Sequence, residues 1–308
     1  MTYLGELISI GVAFSWTATA LLSEYGSRRM GNLTLNVMRM GITMVFSLAL
    51  FWIMTGRPLP AHASNEAYLW MMLSGIVGYV IGDYCLFQCY IIIGSKFGQL
   101  FMTLAPIAAA VTAWATLGQQ LRPQGIIAMA VTLAGISLTV LGRGNHSKLS
   151  LKLPLNGVLF AIGAAVCQGV GLVLSKIGMN HYEASMTTHY EPWLLPFFAN
   201  FFRCVAGIVG FLILMSFKEN FQSLRKNMTD RISLTTAVST SIFGPFVGVG
   251  CSLLAVQYTS AGIASTLMAL TPIIIILPAY WLFRQPITAK SVVGAVISCI
   301  GVSLFFLL

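Results

Sequence analysis

Few side chains in this sequence have the chemistry to do work, and Asp83 is foremost among them. It lies within an apolar run from about 69 to 93. At roughly 1.5 Å of rise per residue, that places it about 21 Å of helix from one end and about 15 Å from the other. An ionisable group at such depth costs roughly 2.5–3.5 kcal/mol on insertion scales, so it requires a partner or a task. Helical spacing sets Tyr79, Phe87 and Tyr90 on its face, a carboxylate in an aromatic wall. Such a group suits proton coupling or contact with a substrate ammonium. A structural acid paired with Arg39 is the plainer alternative.

The next candidates are neutral. Trp16, Thr19 and Ser23 share one helix face, and the positions that match them later in the chain are Gln168, Gly171 and Ser175. Such a face suits the lining of a cavity, and equally a close helix–helix contact in lipid. Pro106 and Pro272 fall about a third of the way along their apolar runs, where a missing N–H weakens the backbone ladder and allows a hinge or a static bend. Gly75, Gly78 and Gly82, with Gly244, Gly248 and Gly250, mark two helices as closely packed or bendable. Arg39 and Arg203 have the fork to clamp a carboxylate or phosphate in a substrate, but both are expected about one turn inside helix starts at opposite membrane faces, free to snorkel to lipid headgroups. All four histidines (His62, His146, His181, His189) fall in expected loops, so no metal is expected. No P-loop, HExxH or GxSxG with a deep histidine occurs, and neither an enzyme nor a cofactor is expected.

The elements that hold these residues follow from composition. The chain has 308 residues, 57% hydrophobic and 8% charged, with mean hydropathy +0.85. A soluble protein carries about 25% charged residues, so this one is built for lipid. Ten apolar runs are long enough to span a bilayer: about 4–22, 35–55, 69–93, 98–118, 124–142, 155–175, 197–217, 234–258, 262–283 and 287–308. Strands are not expected, because no run alternates with period two. The net charge of +9 fits loops that face anionic lipid rather than nucleic acid. The six cysteines sit in apolar runs without CxxC spacing and read as free thiols. The first run lacks a basic leader and a cleavage site, unlike a signal peptide.

Self-similarity is the strongest pattern. Residues 73–142 shifted by 166 lie over 239–308: Gly78 meets Gly244, Gly82 meets Gly248, and Pro106 meets Pro272. Gln119 meets Gln285, and Gly135 meets Gly301. Gly5 and Gly26 meet Gly157 and Gly178 at a shift of 152, and Arg39 meets Arg203 at 164. Asp83 meets Val249, so one half alone carries the charge. The division is 1–146 and 147–308, five spans each. Five is odd, so the second copy enters the membrane upside down, an architecture common in secondary transporters with a midplane site between halves.

The paired runs "LAPI…WATLGQQLRPQGIIAMAVTLAGISL" and "LTPI…YWLFRQPITAKSVVGAVISCIGVSL" resemble the EamA-type repeats of the drug/metabolite transporter superfamily. Family members usually carry Glu where this chain has Gln119 and Gln285, so a role for that Glu does not carry over. The resemblance implies a multi-pass membrane carrier that exports a small polar or amphipathic metabolite such as an amino acid. It would sit in the plasma (inner) membrane if bacterial, as a monomer or homodimer, with the substrate, membrane lipid and, where transport is proton-coupled, a proton as partners and no nucleic acid. The rival class is a bundle without transport, handling lipid or scaffolding a partner. Twelve Lys and Arg in the loops after odd-numbered spans, against three on the other side, put both termini outside. The resemblance implies the reverse.

Overall fold

The computed structural model describes residues 3–59, 63–118, 123–143, 149–151, 153–185, 192–218, 221–258, 267–268 and 270–307. The first helix, α1 (Leu4–Met30), extends well beyond the expected 4–22 and carries Glu24, Arg28 and Arg29. Its charge is tolerated because Arg28, four residues on, pairs with Glu24 at 3.0 Å. Gly31 alone separates α1 from α2 (Asn32–Thr55), at φ 87°, a conformation that favours glycine.

The third span is continuous from α3 (Asn65–Gly75) through a π-helical stretch, Ile76–Asp83, into α4 (Tyr84–Ile93). Ser64 caps its start by accepting the Ala67 N–H. Gly94, again at φ 87°, joins it to α5 (Ser95–Met102), which breaks before α6 (Ala105–Leu117). Within the span Ser95–Thr116, Pro106 thus stands just after the break at Thr103–Leu104. It occupies the first turn of α6, where its missing N–H is an unpaired donor in any helix. Then follow α7 (Pro123–Val140), α8 (Leu155–Ser185), α9 (Leu195–Lys218) and a short α10 (Phe221–Thr229). The stretch between the apolar runs 197–217 and 234–258 thus holds a helix with no buried residue.

The eighth span repeats the pattern of the third. It runs from α11 (Arg231–Ser241) through a π stretch, Ile242–Phe246, into α12 (Val247–Tyr258). Ile76 shifted by 166 is Ile242, so the two π stretches begin at matching positions. After a break come α13 (Thr271–Ile274), α14 (Ile276–Phe283) and α15 (Ala289–Leu307), with Pro272 again at a helix start. Among the described residues the candidate spans are all helical, as expected. Between the repeats, β1 (Leu141–Arg143), at the end of the fifth apolar run, pairs antiparallel with β2 (Leu149–Leu151).

Seven helical spans are long and apolar enough to cross a membrane, and Gly125–Thr139, Thr271–Phe283 and Ala289–Leu304 are shorter apolar helices. The chain is an integral, multi-pass membrane protein. Its outward faces carry Phe14, Trp52, Ile53, Phe217 and Trp281, as lipid-facing helices do.

Contacts between the halves come in exchanged pairs. Gly135 on α7 lies against Ser298 on α15, and Gly301 lies against Thr132; a Cβ on either glycine would stand 2.5 Å from the partner's backbone nitrogen. Ser298 is the repeat mate of Thr132 and Gly301 that of Gly135, so α7 and α15 cross antiparallel about a pseudo-two-fold axis. Elsewhere Gly78 packs on Gly171, while its mate Gly244 packs on Thr19, the mate of Gly171. Close glycine contacts of this kind let helix backbones approach where lipid offers no hydrophobic drive.

Candidate functional site

The two π stretches face each other's repeats, and the polar side chains gather there. A π turn replaces i→i+4 bonding with i→i+5 and is frequent at functional sites. Within the first, the Gly78 carbonyl accepts from Gln168 Nε2 at 3.1 Å, and the same nitrogen donates to Asp83 Oδ1 at 2.7 Å. Asp83 Oδ2 is bonded to Arg39, with both side chains 5% exposed. The Arg39 guanidinium lies 4.7 Å over the Phe87 ring, and its backbone carbonyl accepts from Ser241 at 3.1 Å.

Arg203 lies beside this pair. Its guanidinium sits 4.5 Å over the Tyr79 ring, and its backbone lies so close to Gly75 that a Cβ there would meet the Arg203 carbonyl at 2.5 Å. Tyr79 donates to Asn200 Oδ1, and Asn200 donates on to the Pro245 carbonyl, inside the second π stretch, at 2.9 Å. The network therefore draws on helices of both repeats.

Neither arginine snorkels. Arg39 is 4% exposed and Arg203 7%. Their helices begin at Asn32 and Leu195, which puts them about 10 and 12 Å into the bundle, two turns rather than one. Arg39 points inward to Asp83 and the Phe87 ring, and Arg203 to the Tyr79 ring, instead of reaching for the headgroups.

The expected site residues divide into groups. Asp83, Tyr79, Phe87 and Gln168 converge. Tyr90 stacks on Phe87 at 5.8 Å, but its hydroxyl accepts from Gln99 at 2.6 Å, away from Asp83. Trp16 lies against Gly248, with its indole nitrogen 3.0 Å from where a Cβ would be. This mirrors Gln168 against Gly82, at 3.5 Å. Where one half sets Gln168 beside Asp83, the other has Trp16 and Val249.

A second constellation seals one end. Glu24 is fully buried, and its carboxylate accepts from Arg28, from the Ser95 N–H at 2.7 Å and from Gln285 Nε2 at 3.0 Å. Lys96 donates to the Pro286 carbonyl at 2.6 Å. These bonds tie the first repeat to the second on the face richer in Lys and Arg, around a cleft of about 310 Å³ lined by Glu24, Arg28, Gly94 and Gln285. The Gln285 amide fits a carboxylate partner that a Glu would repel. Gln119, its mate, lies outside the described residues.

Sequence reasoning passed over Glu24, Asn200 and the depth of Arg203. Asn200 carried a signal, since a shift of 164 sets it over Asn36. Among the described residues no cluster of His, Cys, Asp or Glu has metal-holding geometry. His181 lies in α8 rather than a loop, 3.3 Å from Glu66, while His62, His146 and His189 lie outside the described residues. The six cysteines are free.

Comparison with known proteins accords with this architecture. No curated protein matches the chain. Twenty-seven solved chains do. One, described as "Crystal structure of protein", superposes with a TM-score of 0.62 at 15% identity, covering 100% of this chain and 99% of its own, which establishes a shared fold. The profile of the EamA-like transporter family matches residues 3–141 and again 155–307. The chain belongs to the EamA-like transporter family.

Proposed function

We propose that the protein is a secondary transporter of ten spans, in two inverted five-helix halves, that moves a small polar or amphipathic metabolite such as an amino acid by alternating access. The direction is export, across the plasma membrane if the source is bacterial. The observation that carries this reading is the buried Arg39–Asp83–Gln168 network at the junction of the repeats, flanked by π stretches at matching positions. Exchanged contacts between α7 and α15 support inversion, which supplies two near-equivalent states open to opposite sides. Breaks at matching places in the fourth and ninth spans give each half a joint. The Glu24 seal fits a state closed on the Lys- and Arg-rich face. Asp83, Tyr79, Phe87 and Gln168 line the path of the solute or of a coupled proton, with Trp16 opposite and Tyr90 behind.

Counterflow in proteoliposomes tests this. Vesicles preloaded with an unlabelled metabolite mixture are expected to accumulate labelled solute from the same mixture transiently and with saturation. A bundle that handles lipid or scaffolds a partner gives no exchange, and that result refutes the proposal.

A further inference from the structure

The two deep arginines are repeat mates but are not equally neutralised. Arg39 has Asp83. Arg203 is 7% exposed, and among the described residues it has no ion-pair partner, whereas the Nε of both arginines is buried without a hydrogen-bond partner. The position that would mirror Asp83 is Val249. The Tyr79 ring covers one face of the Arg203 guanidinium, and the Tyr79 hydroxyl is committed to Asn200, so neither supplies an acceptor for its N–H donors. A guanidinium presents five donors in a planar fork that matches a carboxylate in two parallel bonds. A buried charge without a partner is costly enough that proteins pair such groups or leave them for a ligand.

We infer that Arg203 is the binding site for the carboxylate of the transported solute, which takes the place of the acid missing at Val249. Gly78 lets the guanidinium lie directly against the first π stretch, since a Cβ there would stand 2.9 Å from an Arg203 Nη. The solute class is then a monocarboxylate, one negative charge against the one cation in excess over Asp83. This inference rests on the transporter reading.

The test is thermal stability of the purified protein in detergent, at fixed ionic strength, with formate, acetate or benzoate against formamide, acetamide and benzamide. At about a hundredfold excess over its Kd, a carboxylate is expected to raise Tm by at least about 3 °C, and its amide by none. Arg203→Gln is expected to remove the shift. Val249→Asp, which sets an acid at the position matching Asp83, is expected to raise Tm without ligand and to abolish the carboxylate response. Equal shifts with amides, a shift that survives Arg203→Gln, or no shift with any carboxylate overturns the inference. So does a full shift from phosphatidylglycerol, whose anion stays at headgroup level. Counterflow separates the two claims: exchange of neutral or cationic solutes without carboxylate binding leaves the transporter and removes the anion site. Carboxylate binding without any exchange does the opposite.

Discussion

Replacing Asp83 with Asn tests the buried pair directly. Both side chains of the Arg39–Asp83 pair are 5% exposed, so water cannot compensate for a lost partner. Breaking such a pair costs about 3–5 kcal/mol, because the remaining charge stays buried. Phe87 beneath the Arg39 guanidinium returns some of this, up to about 2 kcal/mol for a desolvated cation–π contact. That contact exists in both forms, however, and its gain is limited to what strengthens when the carboxylate leaves. The lower bound, about 3 kcal/mol, is roughly a hundredfold in the folded-to-unfolded ratio. Arg39→Met is expected to be equally harmful, whereas the double variant recovers most of the loss, since an apolar replacement of both partners is often neutral. Reversible unfolding in mixed micelles, run as a double-mutant cycle, measures the coupling, expected at about 2 kcal/mol or more. A coupling below about 0.5 kcal/mol, the size seen for exposed pairs, refutes the claim that these charges are sequestered.

Other outcomes follow from the packing. Gly301→Ala is expected to cost about 1–3 kcal/mol in unfolding titrations by forcing α15 from Thr132, whereas Gly11→Ala, with nothing within 4 Å, is expected to be neutral or stabilising by up to about 1 kcal/mol. Gln285→Glu is expected to lower Tm at pH 7 by setting a second carboxylate against Glu24, and the exchange Gln285→Glu with Glu24→Gln to restore most of it; an unchanged single variant excludes the seal. Asp230 caps α11, and its carboxylate, held by Ser233 and by Arg29 at 3.0 Å, is lowered to about 2. A depressed carboxylate contributes stability that is complete above its ordinary value near 3.8 and lost as pH falls through about 2. Asp230→Asn is therefore expected to lower Tm at pH 5 but not near pH 2, and an equal difference at both excludes the ionised cap.

The third and eighth spans were the most legible in the sequence. A shift of 166 found their glycines, and those glycines do meet the other repeat's first helix. The depth of Asp83 was also legible, because an acid in an apolar run stands out by composition alone. The end of α1 was not. Glu24 looked like a break in hydropathy, yet it is neutralised by Arg28 four residues on and by Gln285, 261 residues away. Arg203 was misplaced for a related reason: hydropathy set the span start at 197, and its inward direction is decided by Tyr79 and Gly75, far off in sequence. The π stretches leave no composition signature, since they depend on what packs against their loosened carbonyls. The β1–β2 ribbon joins residues too few and too mixed to show a period.

Gly31 and Gly94 are single-residue joints with the same backbone angle, and they leave the rods on either side no spare chain. Each pair of rods is therefore joined as an elbow, in which any movement of one arm would reach the other with little lost in slack. If the protein works by the alternating access proposed above, a short flexible insertion after either glycine is expected to let each arm move alone, so that solute still binds but exchange across the bilayer is lost.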